Sequence, residues 1–321
     1  MITNRCFDRS RQFHFGARIA SLAAVVAVLT MTSAASAQQA FKSAEDAATA
    51  LVEAVRTGER RAILTVLGRG GADIVSSGDA VADDTARQIF LEAYDVQHQI
   101  SMESNSKAIM VIGQVEFPFP IPIVRKDAAW RFDTAAGRLE ILYRRIGRNE
   151  LNTIQACLAY VDAQNEYAEQ DRTGAGTGVY AQRIVSASGK KDGLYWPAAQ
   201  SGDESPLGEL VAQATSQGYR VGGSRAPFHG YYYKILTKQG PNVPGGAMDY
   251  VVSGKMIGGF ALVAYPAEYG NSGVMTFLVS HGGNVYEKDL GPRTPGLAER
   301  IAVFNPDQTW KIVTVTEEPA Q

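Results

Sequence analysis

Paired glycines cut the second half of this chain into pieces of strand length, and no other feature limits its fold so tightly. Gly222-Gly223, Gly245-Gly246, Gly258-Gly259 and Gly282-Gly283 alternate with apolar and aromatic runs at 230–237, 248–253, 259–265, 274–280, 284–288, 301–304 and 310–315. Glycine reaches positive φ without a Cβ clash, so a pair of glycines closes a tight hairpin. His281-Gly282-Gly283-Asn284, set between two such runs, reads as one. Short strands joined in this way build an antiparallel meander. No fixed-period self-similarity is visible, so the glycines punctuate turns and do not mark solenoid repeats.

Ahead of the meander, 137–167 is strongly helical, with Leu139, Leu142, Ile146, Ile154, Leu158 and Val161 on one side. Gly147 lies inside this run and weakens a single helix, which predicts a break or a domain junction near it. Arg144, Arg145 and Arg148 form a basic cluster there. Glu140 stands four residues before Arg144, so the charges partly pair and partly repel, as on a solvated face or in a salt-bridge network.

Residues before this helix alternate between two patterns. Ser43 precedes Glu45 and Asp46, and Ala47, Ala50, Leu51, Ala54 and Val55 recur at helical spacing until Gly58, which predicts an N-capped amphipathic helix. A short helix at 60–67 and a third at 83–95 follow. The runs 107–113 and 130–132 read as strands. In 117–124, Pro118, Pro120 and Pro122 exclude a central strand and imply an edge or an extended rim. The expected fold is therefore α+β: N-terminal helices with a small antiparallel sheet, then a long helix packed on a C-terminal antiparallel meander. The expected segments are 1–37, 38–147 and 148–321.

The segment 1–37 reads as a cleavable secretory signal, with Arg5, Arg9, Arg11 and Arg18 before an apolar run at 19–30 and Ala35-Ser36-Ala37 as an A-x-A cleavage site. A dozen residues span only about 18 Å as helix, too short for a hydrocarbon core of about 30 Å. Cleavage would leave Gln38 first and a periplasmic or secreted protein without stable membrane insertion. It would also remove Cys6, so Cys157 alone remains and no internal disulfide can form. Stability must then come from a hydrophobic core, which a chain of 321 residues with 45% hydrophobic side chains can supply. Cys157 sits in an apolar helical run and reads as a small buried hydrophobe.

A formal charge of -2 leaves no electrostatic footprint for nucleic acid. Beyond the leader only His98, His229 and His281 remain, and HExxH, HxH and CxxC spacings do not occur, so no metal site is expected. The G-x-S-x-G elbow and the Walker motif are missing. Gly174-Ala175-Gly176-Thr177-Gly178 follows a helix instead of leading into one, so it reads as a loop and not as a phosphate cradle.

Two resemblances add to this reading. The segment Arg144-Arg145-Ile146-Gly147-Arg148-Asn149-Glu150, the proline zigzag with Trp130-Arg131-Phe132-Asp133, and Phe260-Ala261-Leu262-Val263-Ala264-Tyr265-Pro266-Ala267-Glu268-Tyr269-Gly270 resemble a bacterial exported family known as domain of unknown function 2950. The resemblance covers nearly all of the chain after the leader and implies no activity. Asn152-Thr153-Ile154-Gln155, Tyr160, Tyr167, Gly218-Tyr219, Gly230-Tyr231-Tyr232, Ala264-Tyr265-Pro266 and Gly273-Val274-Met275-Thr276-Phe277 look similar to the globular part of type IV pilin-like and pseudopilin-like proteins, which implies a helix packed on an antiparallel sheet.

These observations favour an exported, non-catalytic envelope binding or interaction module without cofactor, whose partner is an envelope protein or a glycan. Its binding candidates are His229, Tyr231, Tyr265, Tyr269, Arg144, Arg145 and Arg148. One alternative is a periplasmic hydrolase or carbohydrate-active protein using Glu268, His281 or Glu287 in the C-terminal sheet, because glycoside hydrolysis needs two carboxyl groups across a cleft. Another is a pilus or secretion accessory protein.

Overall fold

The computed structural model describes residues 38–198, 204–220 and 226–314, so the expected leader at 1–37 lies outside the described residues, as do Gly222, Gly223, Ser224 and Val315. Among the described residues no helix is long and apolar enough to cross a membrane.

Four helices come first: α1 (Ala44–Thr57), α2 (Arg60–Leu67), α3 (Ala72–Val75) and α4 (Ala80–Val96). Ser43 caps α1 by accepting from the Asp46 N–H at 2.9 Å, and Gly58 ends it at φ 68°. α4 begins before the predicted Asp83 because Asp79 caps it, accepting from the Ala82 N–H at 3.1 Å. Next come β1 (His98–Ser104), β2 (Lys107–Ile112), β3 (Phe117–Pro118), β4 (Ile123–Lys126) and β5 (Ala129–Phe132). They form one antiparallel sheet in the order β1-β2-β4-β5, with β3 laid on β2. Only the ends of the proline zigzag pair as strands, as the missing proline N–H groups require. The helices and this sheet enclose a core that includes Leu51, Ile63, Met110, Ile121, Ile123 and Phe132.

α5 (Thr134–Glu169) is a single helix of 36 residues, and this corrects the break expected near Gly147. Glycine costs a helix about 1 kcal/mol, and packing on both sides outweighs that. Leu142 is buried before the glycine, and Ile154 and Cys157 after it. Arg145 and Asn149 anchor the turns that flank Gly147 through hydrogen bonds to distant segments.

After α5 come α6 (Gly208–Ser216), β6 (Tyr231–Leu236), β7 (Lys238–Gln239), β8 (Met248–Asp249), β9 (Val251–Val252), β10 (Lys255–Met256), β11 (Ala261–Pro266), β12 (Met275–Ser280), β13 (Val285–Asp289), α7 (Thr294–Ala298) and β14 (Lys311–Ile312). The main sheet is antiparallel in the order β14-β13-β12-β11-β6, while β7 pairs β8 and β9 pairs β10. His281 to Asn284 form the β12–β13 connection, with Gly283 at φ 77°. The strand expected at 301–304 does not form. Phe304 instead sinks into the core against Tyr286, makes one bridge to Gln239, and is followed by Asn305-Pro306, where proline removes the next donor. One face of the sheet packs on α5 around Cys157, Tyr160, Tyr231 and Phe277, all of them buried. The two cores belong to one compact unit.

Candidate functional site

β6 is the last strand of its sheet, so one of its long edges has no neighbouring strand among the described residues. Along that edge lies a cavity of about 480 Å3, inside the range of roughly 300–1,000 Å3 that small-ligand pockets occupy. Strand side chains alternate between faces, so the cavity is lined from both sides of the strand. On the α5 side are Tyr233, Leu262 of β11, and Ala156 and Tyr160 of the helix. Tyr232, Lys234 and Tyr265 come from the opposite face, where Tyr232 and Tyr265 are register partners with ring centroids 5.7 Å apart.

The cover is α6. Leu207, Leu210, Val211 and Ala214 recur at i, i+3, i+4 and i+7, which puts them on one side of the helix, and all four line the cavity. Phe228 and Tyr219 close one end with their rings edge to face at 5.0 Å. Ile184 and Val185 add aliphatic surface.

Three of the tyrosines present rings to the cavity while their hydroxyls are engaged elsewhere. The Tyr160 hydroxyl donates to the Ala261 carbonyl at 3.3 Å and accepts from Gln164 Nε2 at 3.0 Å. Tyr233 bonds Thr153 Oγ1 at 3.3 Å, and Tyr219 donates to Asp79 at 2.8 Å. Burial raises the pKa of all three phenols. No Asp, Glu, Asn or Gln is among the described residues of the lining, whose cations are Arg220 and Lys234.

A second polar grouping joins the two cores through an extended set of hydrogen bonds. The Asp79 carboxylate, 1% exposed, accepts from Tyr219 and from the Gly230 N–H at 2.8 Å each. Arg145 donates to the carbonyls of Asp73 and Ile74 at 2.7 and 2.6 Å and to Asn271 Oδ1 at 2.5 Å. Burial lowers its pKa, against the pull of Asp83, Asp73 and Glu268. Glu150 Oε1 accepts from the N–H groups of Val274 and Met275 at 2.9 Å each. Such bonding fixes the β11–β12 loop to α5 and to the N-terminal helices, a structural use of these charges.

The residues singled out from sequence are scattered across this frame. Glu268 is exposed in the β11–β12 loop, bonded to Asn271 Nδ2 at 2.7 Å. His281 lies at the other end of the same strand pair, about 20 Å away along six residues of β11, with Tyr250 and Phe260 at its ring edge. Glu287 sits mid-strand in β13 opposite Phe277 and Lys311. These three do not converge.

Among the binding candidates, Tyr265 lines the cavity. His229, at φ 50°, lies beside it with its ring tilted against Phe228 at 4.1 Å, and burial lowers its pKa. Tyr231 is fully buried and donates to the Met275 carbonyl at 3.0 Å. Tyr269 bonds Asp289 at 3.2 Å. Arg144 is exposed, paired with Glu140 at 2.7 Å and lying 5.0 Å over Phe117, and Arg148 is exposed too, whereas Arg145 turns inward. Arg145 is thus turned away from the i, i+4 pair Arg144 and Arg148, so the three do not converge on one site. Among the described residues no group of three or more His, Cys, Asp or Glu side chains is placed to hold a metal ion. The loop 174–178 is not a cradle, since Asp171 already accepts from the Thr173 and Ala175 N–H groups.

Fold and site together define an α+β protein with an aromatic cavity at a sheet edge, covered by a short amphipathic helix. The chain belongs to the family described as Protein of unknown function (DUF2950), which it matches over residues 38–313. No curated protein and no solved structure is significantly similar to it, so the likeness of its C-terminal half to pilin-like domains rests on sequence alone.

Proposed function

We propose that this protein is an exported, non-catalytic binding module of the bacterial envelope, with the cavity along β6 as its ligand site. The observation that carries the reading is the cavity itself, sized for a small molecule and lined by aliphatic side chains and tyrosine rings, three of which turn their hydroxyls to other partners. Glycosidic chemistry needs two carboxyl groups at the reacting atoms, and the described lining has no carboxylate. A glycan would leave its many hydroxyls without carboxylate or amide partners there. The lining favours a compact apolar body instead. Export is supported by the basic leader, the apolar run and the A-x-A site of 1–37.

The test titrates N-phenyl-1-naphthylamine, a neutral dye that brightens in apolar surroundings, into the protein purified after export. Saturable binding with a Kd on the order of micromolar is expected, abolished by Ala214→Phe, which fills the cavity from α6. A signal that never saturates, or one that Ala214→Phe leaves intact in a folded protein, overturns the site. An N-terminus other than Gln38 overturns the expected cleavage.

A further inference from the structure

Resting on the cavity as a ligand site, we infer that its ligand is an amphipathic anion, with an apolar body between α6 and β6 and one anionic head held by Arg220 and Lys234. The lining is electrostatically one-sided: two cations and no acid among its described residues. Arg220 is exposed and makes no ion pair with a described residue. Lys234 is half-buried and donates to the Glu299 backbone carbonyl at 2.7 Å, which holds its ammonium in place. Glu299 is the acid acting on it, and lies outside the lining.

Tyr232 lies two residues before Lys234 on the same face of β6, and its half-buried hydroxyl has no hydrogen bond to a described residue. A ligand head placed beside Lys234 meets that cation and a phenol donor, and Arg220 is the other cation of the lining. Placing a neutral polar head there would desolvate the cations without returning a charge. A carboxylate and a phosphate monoester share the required chemistry.

The experiment displaces bound N-phenyl-1-naphthylamine from the exported protein with dodecanoate, dodecyl phosphate or 1-dodecanol, which share a chain and differ in the head. At least one anion is expected to compete about tenfold or more better than the alcohol, in keeping with charge-assisted bonds. In Arg220→Gln/Lys234→Gln that preference should fall to about twofold or less, each competitor being referred to the dye's own Kd in that variant. Equal competition by all three, or a preference that survives the double substitution, overturns the inference and leaves the cavity standing. Failure of the dye to bind wild-type protein overturns the cavity and the inference with it.

Discussion

The hydroxyl of Tyr219 donates to the carboxylate of Asp79 at 2.8 Å, joining one end of the cavity to the cap of α4 across 140 residues of sequence. The same carboxylate takes the Gly230 N–H just before β6, so a single buried acid secures both the closing ring and the strand that carries the lining.

Asp79→Ala therefore removes a helix cap and strands a phenol and a backbone N–H in the interior. Unfolding in urea should show a loss of about 3 kcal/mol. Tyr219→Phe, which leaves Asp79 its two backbone partners, should lose about 1.5 kcal/mol. Equal losses would show that Asp79 gains nothing from its backbone bonds.

Two glycines of α5 should respond in opposite senses to alanine. A Cβ at Gly137 would stand 2.5 Å from the Pro120 carbonyl oxygen, a backbone atom that cannot swing away, whereas a Cβ at Gly147 would meet nothing within 4 Å. Gly147→Ala should stabilise by about 0.5–1 kcal/mol through helix propensity. Gly137→Ala should destabilise by about 1–3 kcal/mol, as overpacking does. Thermal midpoints of the two variants read the difference.

Glu150 bridges to the strand after the β11–β12 loop through one oxygen. Glu150→Gln keeps a carbonyl acceptor there and should cost about 1 kcal/mol, while Glu150→Ala abandons two backbone donors and should cost about 2–4 kcal/mol by urea denaturation. A glutamine variant as weak as the alanine would show that charge, not acceptance, matters.

Stability should collapse in alkali. Burial raises the Tyr250 phenol to about 12 and also raises those of Tyr160, Tyr219, Tyr231 and Tyr233. The folded state binds these protons more tightly than the unfolded chain does, so the contribution is complete below about pH 10 and is lost as pH rises above it. Tyrosinate absorbance and circular dichroism should change together above that pH. Ionisation of all five phenols with the fold intact would contradict their burial.

Burial also pushes the Cys157 thiol to about 12, and its side chain is fully enclosed. At about pH 8 iodoacetamide should leave the native protein unmodified and label it completely in denaturant. Rapid native labelling would mean that α5 lifts from the sheet.

How far these features could be read in advance varies with the range of the forces behind them. The Ser43 cap, the hairpin at Gly282-Gly283 and the β6, β11, β12 and β13 runs were all legible, because each depends on local backbone preference or on short alternating patterns. β1 was missed, since its residues are largely polar and exposed and its strand state comes from pairing with β2. α6 was missed although Leu207, Leu210, Val211 and Ala214 carried the helical spacing that would have found it. Gly147 misled because propensity is worth about 1 kcal/mol and is overruled where both neighbouring turns are anchored.

The succession of N-terminal helices, small sheet, long helix and C-terminal meander, the hairpin at Gly282-Gly283 and the burial of Cys157 were thus contained in the linear pattern, because hydrophobic periodicity and glycine conformational freedom act over a few residues. The cavity was not, nor the scattering of Glu268, His281 and Glu287, nor the inward turn of Arg145 against its neighbours. These depend on which strand ends the sheet and on which distant carbonyls and carboxylates meet one another, relations that come into being only when segments far apart in sequence, up to 140 residues in the case of Asp79 and Tyr219, pack together.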